Sequence, residues 1–228
     1  MSRRRRRWVI LGSLLVVLVV GAVVGGRIAL LKGSWFRVSQ VEVQAPPGLD
    51  PNSLRTAAGV RTGMPLLAVD LDAVGRSVAS VPAVASATAS RRWPHTLRLT
   101  VTERVPVALT PSASGPWLLD ADGLAYLPAP DGASALPTVV AARVSPADPA
   151  TKAALAVLAA LTDPVRGQLR AVRADGPNDV TLLLRDGKQV RWGSPEQSER
   201  KAMVLQALMT QRGSVYDVSA PDLPTLRR

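Results

Sequence analysis

The longest apolar stretch of the chain lies close to its first residue. From Trp8 to Gly26, 19 consecutive residues carry no charge, and most of them are valine or leucine. A run of 18 or more such residues is long enough to cross the roughly 30 Å hydrocarbon core of a bilayer. No polar stripe runs along it, as a helix on the surface of a soluble core would have. The pattern predicts a transmembrane helix over residues 8–31.

A cleaved signal peptide is the competing interpretation of this run. Its apolar region would normally span about 7–15 residues and end in an A-x-A-like cleavage site. The run here is longer, and the residues that follow it, GGRIALLK, contain no such site. These two differences favour an uncleaved anchor. Within the run, Gly21 and Gly25 have the G-x-x-x-G spacing that lets two transmembrane helices approach closely, although glycine is also common in such helices for other reasons.

Residues 33–104 alternate between strand-like and helix-like periodicity. The cleanest alternation places Leu97, Leu99 and Val101 on one face of a strand. Asp50 followed by Pro51, and Asp70, are N-cap signals for two helices. The predicted elements are, in chain order, a strand at 35–44, helices at 51–58 and 71–80, and strands at 83–92 and 97–103. The order is β-α-α-β-β.

The second half of the chain predicts a mixed, strand-rich domain. The predicted elements are an edge strand around Pro106 and Pro111, a hairpin over 117–127, strands at 138–140, 169–174, 180–184, 188–192 and 215–218, and helices over 149–161 and from a capping box at 194–197 to Gln211. In the second of these helices we expect Met203 to lie on the packed side. Residues 219–228 are predicted to be a proline-containing tail.

The charge pattern indicates how the predicted span is oriented in the membrane, and it argues against nucleic-acid binding. The formal net charge of +11 would suggest nucleic-acid binding, but five basic residues precede the apolar run, namely Arg3, Arg4, Arg5, Arg6 and Arg7. Arg27 and Lys32 follow the run, so the residues from 33 onward hold 21 basic and 17 acidic side chains. The positive-inside rule places residues 1–7 in the cytoplasm and the bulk of the chain outside it, as a single-pass type II protein of the cell membrane.

The sequence offers little catalytic chemistry. It contains no cysteine and one histidine, His95, which excludes disulfides, thiolate zinc sites and multi-histidine metal sites. No G-x-S-x-G, P-loop or H-E-x-x-H motif occurs, and the clustered carboxylates lie at predicted turns. We therefore predict a protein that is not an enzyme, with no catalytic residue, metal, cofactor, small-molecule substrate or nucleic-acid partner.

Several short motifs, in this order after an N-terminal anchor, resemble the FtsQ/DivIB family of bacterial division proteins. They are Val41-Glu42-Val43, Arg92-Trp93-Pro94 followed by Thr96-Leu97, the stretch VTERVPVA at 101–108, and the hairpin WLLDADG at 117–123. The resemblance implies an α+β fold with a POTRA domain at 33–104 and an FtsQ-type β domain at 105–218. The seven residues before Trp8 form a very short cytoplasmic tail, so tail contacts of longer members are not expected.

The resemblance implies a scaffold at the division septum that links early and late divisome proteins and helps control septal peptidoglycan synthesis. Its implied partners are FtsB/DivIC-like and FtsL-like proteins, and its POTRA domain would help localise it. A last strand with no later element to cover it is suited to receive a partner's strand, although it could equally be an ordinary closing strand. The implied partner-binding residues are Tyr216, Asp217, Val218 and Ser219, with Trp192 as a weaker candidate.

Two other functions stay open from the residues alone. A membrane-tethered cell-wall hydrolase would need a cleft with convergent carboxylates or a reactive serine. A POTRA-bearing secretion accessory protein would normally have tandem POTRA modules or a β-barrel, for which 228 residues with one span leave little room.

Overall fold

The computed structural model describes residues 18–21, 25 and 36–227. The predicted cytoplasmic tail and most of the predicted span at 8–31 lie outside these residues; those of the span that are described, 18–21 and 25, are helical. Within the described residues, no helix combines the length and apolarity needed to cross a membrane. From residue 36 onward the chain forms two compact units that divide between Arg104 and Val105.

The first unit is a three-stranded sheet with two helices. Its elements are β1 (Gln40–Gln44), α1 (Pro51–Ala58), a 3-10 turn (Leu66–Ala68), α2 (Leu71–Ala79), β2 (Val84–Arg92) and β3 (Thr96–Glu103). The sheet order is β1-β3-β2, with β3 parallel to β1 and antiparallel to β2. The predicted order β-α-α-β-β is confirmed, and with it the POTRA-like architecture.

The core of this unit forms on one face of β3. Leu97 and Leu99 are fully buried there, and Val78 of α2 and Leu54 of α1 pack in the same cluster. The first helix starts where the sequence predicts, because the Asp50 carboxylate accepts hydrogen bonds from the backbone N–H groups of the first turn. It ends at a glycine whose φ of 64° requires the left-handed region.

The first strand begins five residues later than its alternation predicts. Residues before Gln40 pair with a loop instead of the sheet: the Val38 N–H donates to the Met64 carbonyl and the Gly63 N–H donates to the Val38 carbonyl, each at 2.8 Å. Alternation alone does not distinguish pairing with a loop from pairing with a strand, because both leave one side chain in two facing inward.

The second unit is built on one large mixed sheet. Its elements are β4 (Pro106–Ser112), β5 (Gly115–Asp120), β6 (Ala125–Pro128), a 3-10 turn (Ala133–Ala135), β7 (Thr138–Ala141), α3 (Pro149–Ala160), α4 (Asp163–Gln168), β8 (Leu169–Gly176), β9 (Asp179–Leu184), β10 (Gln189–Gly193), α5 (Ser198–Leu208), β11 (Val215–Asp217) and β12 (Thr225–Arg227). Across residues 105–227 the strand order is β12-β11-β10-β9-β8-β7-β4-β5-β6.

One apolar cluster holds this sheet against its helices. Helix α3 packs on β7, β8 and β9, and α5 contacts α3. Three fully buried residues from different strands, Val172, Leu182 and Trp192, belong to this cluster. Helix α4 has no counterpart among the predicted elements, since its six residues are too few to show helical periodicity.

The prediction that the strand with Pro106 and Pro111 lies at a sheet edge is wrong. Strand β4 lies between β5 and β7. Its pairing with β7 is limited to Leu109, whose N–H donates to the Pro137 carbonyl at 2.8 Å. The strand is therefore internal only at Leu109, and its prolines occupy positions where no donor toward β7 is needed.

The predicted capping box at 194–197 is also wrong. Helix α5 begins at Ser198, and its N-cap residue, Gln197, makes no side-chain cap hydrogen bond. The Ser194 carbonyl instead accepts a hydrogen bond from the Lys201 ammonium at 2.9 Å. A buried lysine seven residues further along thus supplies the donor at this turn, and the capping-box spacing does not predict that contact.

The predicted N-cap at Asp148 of α3 is present and gives a pH-dependent prediction. Its carboxylate accepts from the Thr151 N–H at 2.7 Å and the Thr151 hydroxyl at 2.8 Å. These hydrogen bonds lower the pKa of Asp148 in the folded chain. A carboxyl whose pKa is lower in the folded than in the unfolded state stabilises the fold above its unfolded value, and this stabilisation is lost as pH falls through the folded value.

We therefore expect the unfolding free energy of the unmodified chain to fall more steeply below about pH 5 than that of Asp148→Asn, which keeps a cap oxygen but cannot titrate. Urea denaturation of the purified full-length chain at several pH values measures both slopes. Equal slopes between pH 6 and pH 3 would show that this carboxylate does not contribute to acid sensitivity.

Candidate functional site

The candidate site is the end of the large sheet formed by β10, β11 and β12. The side chains of Trp192, Tyr216 and Val218 are fully buried there. Asp217 and Ser219 face outward and hydrogen-bond to each other, with the Asp217 carboxylate accepting from the Ser219 hydroxyl at 2.6 Å. The predicted site residues thus lie close together in the structure, but three of the five have side chains that fill the core.

The buried members of this set are also satisfied internally. The Tyr216 hydroxyl donates to the Gln211 carbonyl at 2.9 Å, and the Trp192 Nε1–H donates to the Ser198 hydroxyl at 3.1 Å. Buried tyrosine and tryptophan normally need such partners for their polar atoms. What this end of the sheet offers to a protein partner is therefore its backbone and its outward side chains.

A short strand covers β11, which the sequence pattern predicts to be the last strand. Residues of β12 pair antiparallel with β11, with Tyr216 opposite Leu226 and Asp217 opposite Thr225. The Ser214 N–H also donates to the Arg227 carbonyl at 2.9 Å. The expectation of an uncovered β11 edge followed only by a tail is wrong, because three residues are too short for alternation to show a strand.

One residue of β12 has backbone N–H and C=O groups that face away from β11, along the open edge of the sheet. At the two ends of β11, the Ser214 carbonyl accepts from the Gln189 N–H and the Val218 N–H donates to the Arg191 carbonyl, so the N–H and C=O groups of Tyr216 between them face β10. Successive residues of a strand point their N–H and C=O groups in opposite directions. Val215 and Asp217 therefore bond to β12, and the N–H and C=O groups of Leu226 face outward.

Two apolar side chains are exposed on the segments that lead into β11 and β12. Leu223, in the loop before β12, is 79% exposed, and Met203 of α5 is 64% exposed. An ion pair between Arg200 and Asp222 joins α5 to the same loop, so the two segments that carry Met203 and Leu223 are in contact. The expectation that Met203 lies on the packed side of α5 is wrong: Ala202 and Leu205 occupy that side.

A polar row crosses the solvent face of the sheet at this end. Arg173, Thr181, Arg191, Asp217 and Thr225 are register partners on successive strands from β8 to β12. An open groove of about 780 Å³ lies over the part of this row on β8 to β11. A strand added beyond β12 would extend the row. Sequence reasoning missed both β12 and this row, because the row depends on pairing between distant segments.

Lys201 fixes the turn that precedes α5. The side chain is 2% exposed, and its ammonium donates to the Trp192 carbonyl at 3.1 Å and to the Ser194 carbonyl at 2.9 Å. Burial away from water disfavours the charged form and lowers the pKa of Lys201, and the charge of Glu196 opposes part of this effect. The lysine therefore ties the end of β10 to α5 at a cost in desolvation.

The comparisons with known proteins agree on one family. The chain matches the FtsQ-type POTRA domain family over residues 36–104 and the C-terminal domain family of cell division protein FtsQ/DivIB over residues 108–223. It is 47% identical to the cell division protein FtsQ of Mycobacterium leprae over 171 residues, which cover 75% of this chain and 50% of the relative.

Two further relatives cover more of the chain. Identity to the FtsQ of Mycolicibacterium smegmatis is 43%, over 82% of this chain and 56% of the relative. Identity to the FtsQ of Streptomyces bingchenggensis is 36%, over 99% of this chain and 89% of the relative. The chain thus spans about half the length of the two mycobacterial relatives and most of the streptomycete one.

The depressed pKa of Lys201 predicts how stability changes with alkaline pH. A lysine with a lower pKa in the folded state destabilises the fold while it is protonated, and that effect is relieved as pH rises from the folded toward the unfolded value, near 10.5. The unfolding free energy of the unmodified chain should therefore rise relative to that of Lys201→Met between pH 7 and pH 10. Urea denaturation of both purified chains measures the unfolding free energy of the unmodified chain minus that of Lys201→Met, and a value that stays constant or falls between pH 7 and pH 10 would contradict the prediction.

A glycine next to the candidate site makes the docking of β12 testable. A Cβ atom at Gly213 would lie 2.9 Å from Leu226 Cγ and 3.2 Å from the Arg227 carbonyl oxygen, with Leu226 Cδ1 closer still. We expect Gly213→Ala to displace β12, so that the Ser214 amide exchanges hydrogen faster while the Val218 amide stays protected by Arg191. Amide exchange followed by mass spectrometry or NMR detects this.

The matched control is Gly176→Ala, where a Cβ atom would meet nothing within 4 Å. This control should leave both amides as they are in the unmodified chain. If Ser214 keeps its protection in Gly213→Ala, the close packing of Leu226 on this glycine does not hold β12 in place.

Proposed function

The chain belongs to the FtsQ/DivIB family of bacterial cell division proteins, and from this premise we propose that it is a membrane-anchored, non-enzymatic scaffold of the divisome. The proposal has the N-terminus in the cytoplasm, one membrane span at residues 8–31 and the two units outside the cytoplasm. The uncharged run from Trp8 to Gly26 and the five arginines before it support this topology.

The scaffold acts by holding small division proteins at the end of its large sheet. We propose that an FtsB/DivIC-like protein, paired with an FtsL-like protein, adds a strand along β12. The observation that carries this proposal is the outward-facing Leu226 backbone, together with two exposed apolar side chains, Met203 on α5 and Leu223 in the loop before β12. In strand addition, main-chain hydrogen bonds provide the affinity and neighbouring side chains provide the selectivity.

This arrangement changes the roles of the residues singled out in the sequence. Tyr216, Val218 and Trp192 support the site from within the core, and Asp217 and Ser219 lie on its outer face. The POTRA domain contributes septal localisation in this proposal, and the assembled complex helps control septal peptidoglycan synthesis. The helix contact at Gly21 and Gly25 remains part of the proposal; both are helical, and a Cβ atom at either would meet nothing within 4 Å.

Co-purification of the partner tests the proposed site. A chain that lacks residues 225–228, and the double variant Met203→Asp with Leu223→Asp, should stay in the membrane and recover the FtsB/DivIC-like partner about tenfold less well, which is the loss expected on removing a central anchor of an interface. The control is Leu127→Asp, which changes an exposed leucine on β6, at the opposite edge of the same sheet. This control should recover the partner normally.

Three outcomes separate the parts of the proposal. Normal recovery by both variants would place the partner elsewhere on the chain. Equal loss in the Leu127→Asp control would indicate a general folding defect and reject the assignment to β12. A fluorescent fusion of the unmodified chain should form a ring at mid-cell, and an even signal around the envelope would contradict the septal role itself.

A further inference from the structure

Three segments meet at one end of the first unit, and we call this end the Trp93 end. It consists of residues 36–39, the loop 61–64 and the turn 93–95. The Ser39 N–H donates to the His95 carbonyl at 2.9 Å, and the Ser39 hydroxyl hydrogen-bonds to His95 Nδ1 at 2.8 Å. The Arg37 guanidinium donates to the Gly63 carbonyl at 2.8 Å. These bonds hold the three segments together as one surface.

This surface carries exposed aromatic and apolar groups. Trp93 is 51% exposed, although its ring makes an edge-to-face contact with Phe36 at a centroid distance of 5.4 Å. Met64, in the loop 61–64, is 36% exposed. A mainly apolar groove of about 850 Å³ is lined by Phe36, Val38 and Pro94, among others. A half-exposed tryptophan beside an apolar groove differs from an isolated apolar side chain, which needs no explanation on a protein surface.

The charge around this surface is positive. Arg37 and Arg61 are exposed, and neither forms an ion pair with any other residue in the described part of the chain. Arg92, next to Trp93, contacts Glu42 at 3.4 Å, but Arg98 shares that carboxylate at 3.3 Å. The Trp93 end therefore combines an aromatic side chain with unneutralised arginines.

The length of the chain before this surface limits how far it lies from the predicted span. Five Cα–Cα steps separate Leu31 from Phe36, so the extended chain between them reaches at most about 18 Å. The headgroup layer adds roughly 5–7 Å outside the hydrocarbon core on each side of a bilayer. With Trp93 in contact with Phe36, the aromatic pair is within reach of the lipid headgroups.

We propose that the Trp93 end of the first unit docks on the anionic headgroup surface of the membrane, with Trp93 and Phe36 at the interface and Arg37 and Arg61 facing lipid phosphates. The proposal rests on the membrane anchoring proposed above. Tryptophan is enriched at membrane–water interfaces, and basic side chains near anionic lipid are attracted to it. The consequence is that the first unit has a defined orientation on the bilayer.

A single fluorescent probe can measure this contact in the full-length chain, which contains no cysteine of its own. The probe is attached at Thr62→Cys, an exposed position in the Trp93 end with no side-chain hydrogen bond among the described contacts. The control probe is at Ala85→Cys, also exposed, which lies about 26 Å further along β2 from Trp93. The chain is reconstituted in phosphatidylcholine vesicles with and without phosphatidylglycerol, and headgroup spin-labelled lipid serves as the quencher.

We expect the Thr62 probe to be quenched at least threefold more strongly than the Ala85 probe, and more strongly with phosphatidylglycerol present. Trp93→Ser and Arg61→Gln should reduce this quenching while the tether stays intact. For Arg61→Gln, the equilibrium between docked and undocked surface should shift about fivefold. The matched controls are Trp117→Ser, in the β4–β5 hairpin, and Arg76→Gln, exposed on α2; both should leave the quenching unchanged.

Flotation of the same samples reports on the anchor alone. A chain that does not float with vesicles contradicts the proposed anchoring. A chain that floats, but whose two probes are quenched equally or whose quenching survives Trp93→Ser and Arg61→Gln, overturns the docking proposal and leaves the anchor standing.

Discussion

The parallel pairing of β11 with β10 is the constraint on which the candidate site depends. Two parallel neighbours in one sheet need a crossover, and α5 supplies it. The crossover brings Tyr216 and Val218 into the same core as Trp192. Once these side chains are buried, the N–H and C=O groups of Val215 and Asp217 must point away from β10, and β12 satisfies them. The outward-facing groups of Leu226 therefore follow from the hydrogen-bond pattern that the burial of Tyr216 and Val218 imposes on β11 and β12.

The crossover through α5 contains a buried charged residue, Lys201, because two backbone carbonyls near its start face the interior. The turn between β10 and α5 leaves the carbonyls of Trp192 and Ser194 turned inward, and Lys201 donates to both. Buried carbonyls without a partner are costly, and a lysine with a long flexible side chain can reach them at the further cost of its own desolvation. The same turn contains Gln197, whose φ is 54°. Within the described part of the chain, it is the one non-glycine residue with a positive φ.

Local signals in the sequence predicted those elements whose ends are set by neighbouring residues. The aspartate caps at Asp50 and Asp148 gave the starts of two helices, and the alternation at Leu97 and Leu99 gave the central strand of the first unit. The errors lie where distant segments decide the outcome. Strand β4 became internal through its pairing with β7 at Leu109, and β12 pairs with the edge that β11 offers. For the candidate site, the sequence pointed to Tyr216, Asp217, Val218 and Ser219, but not to which of them are buried, because burial there depends on pairing with β10 and β12.

The same geometry limits which positions of such a partner interface can change in sequence without a cost to the stability of the fold. If recognition at the end of the sheet uses the backbone of β12, then Tyr216 and Val218 contribute to it only by holding β11 in place. Substitutions there would act through the stability of the fold, since truncating a buried aromatic or aliphatic side chain costs about 2–5 kcal/mol. Exposed positions such as Met203 and Leu223 tolerate change without that cost. Selectivity between partners can therefore change at these exposed positions while the backbone edge that provides affinity stays constant.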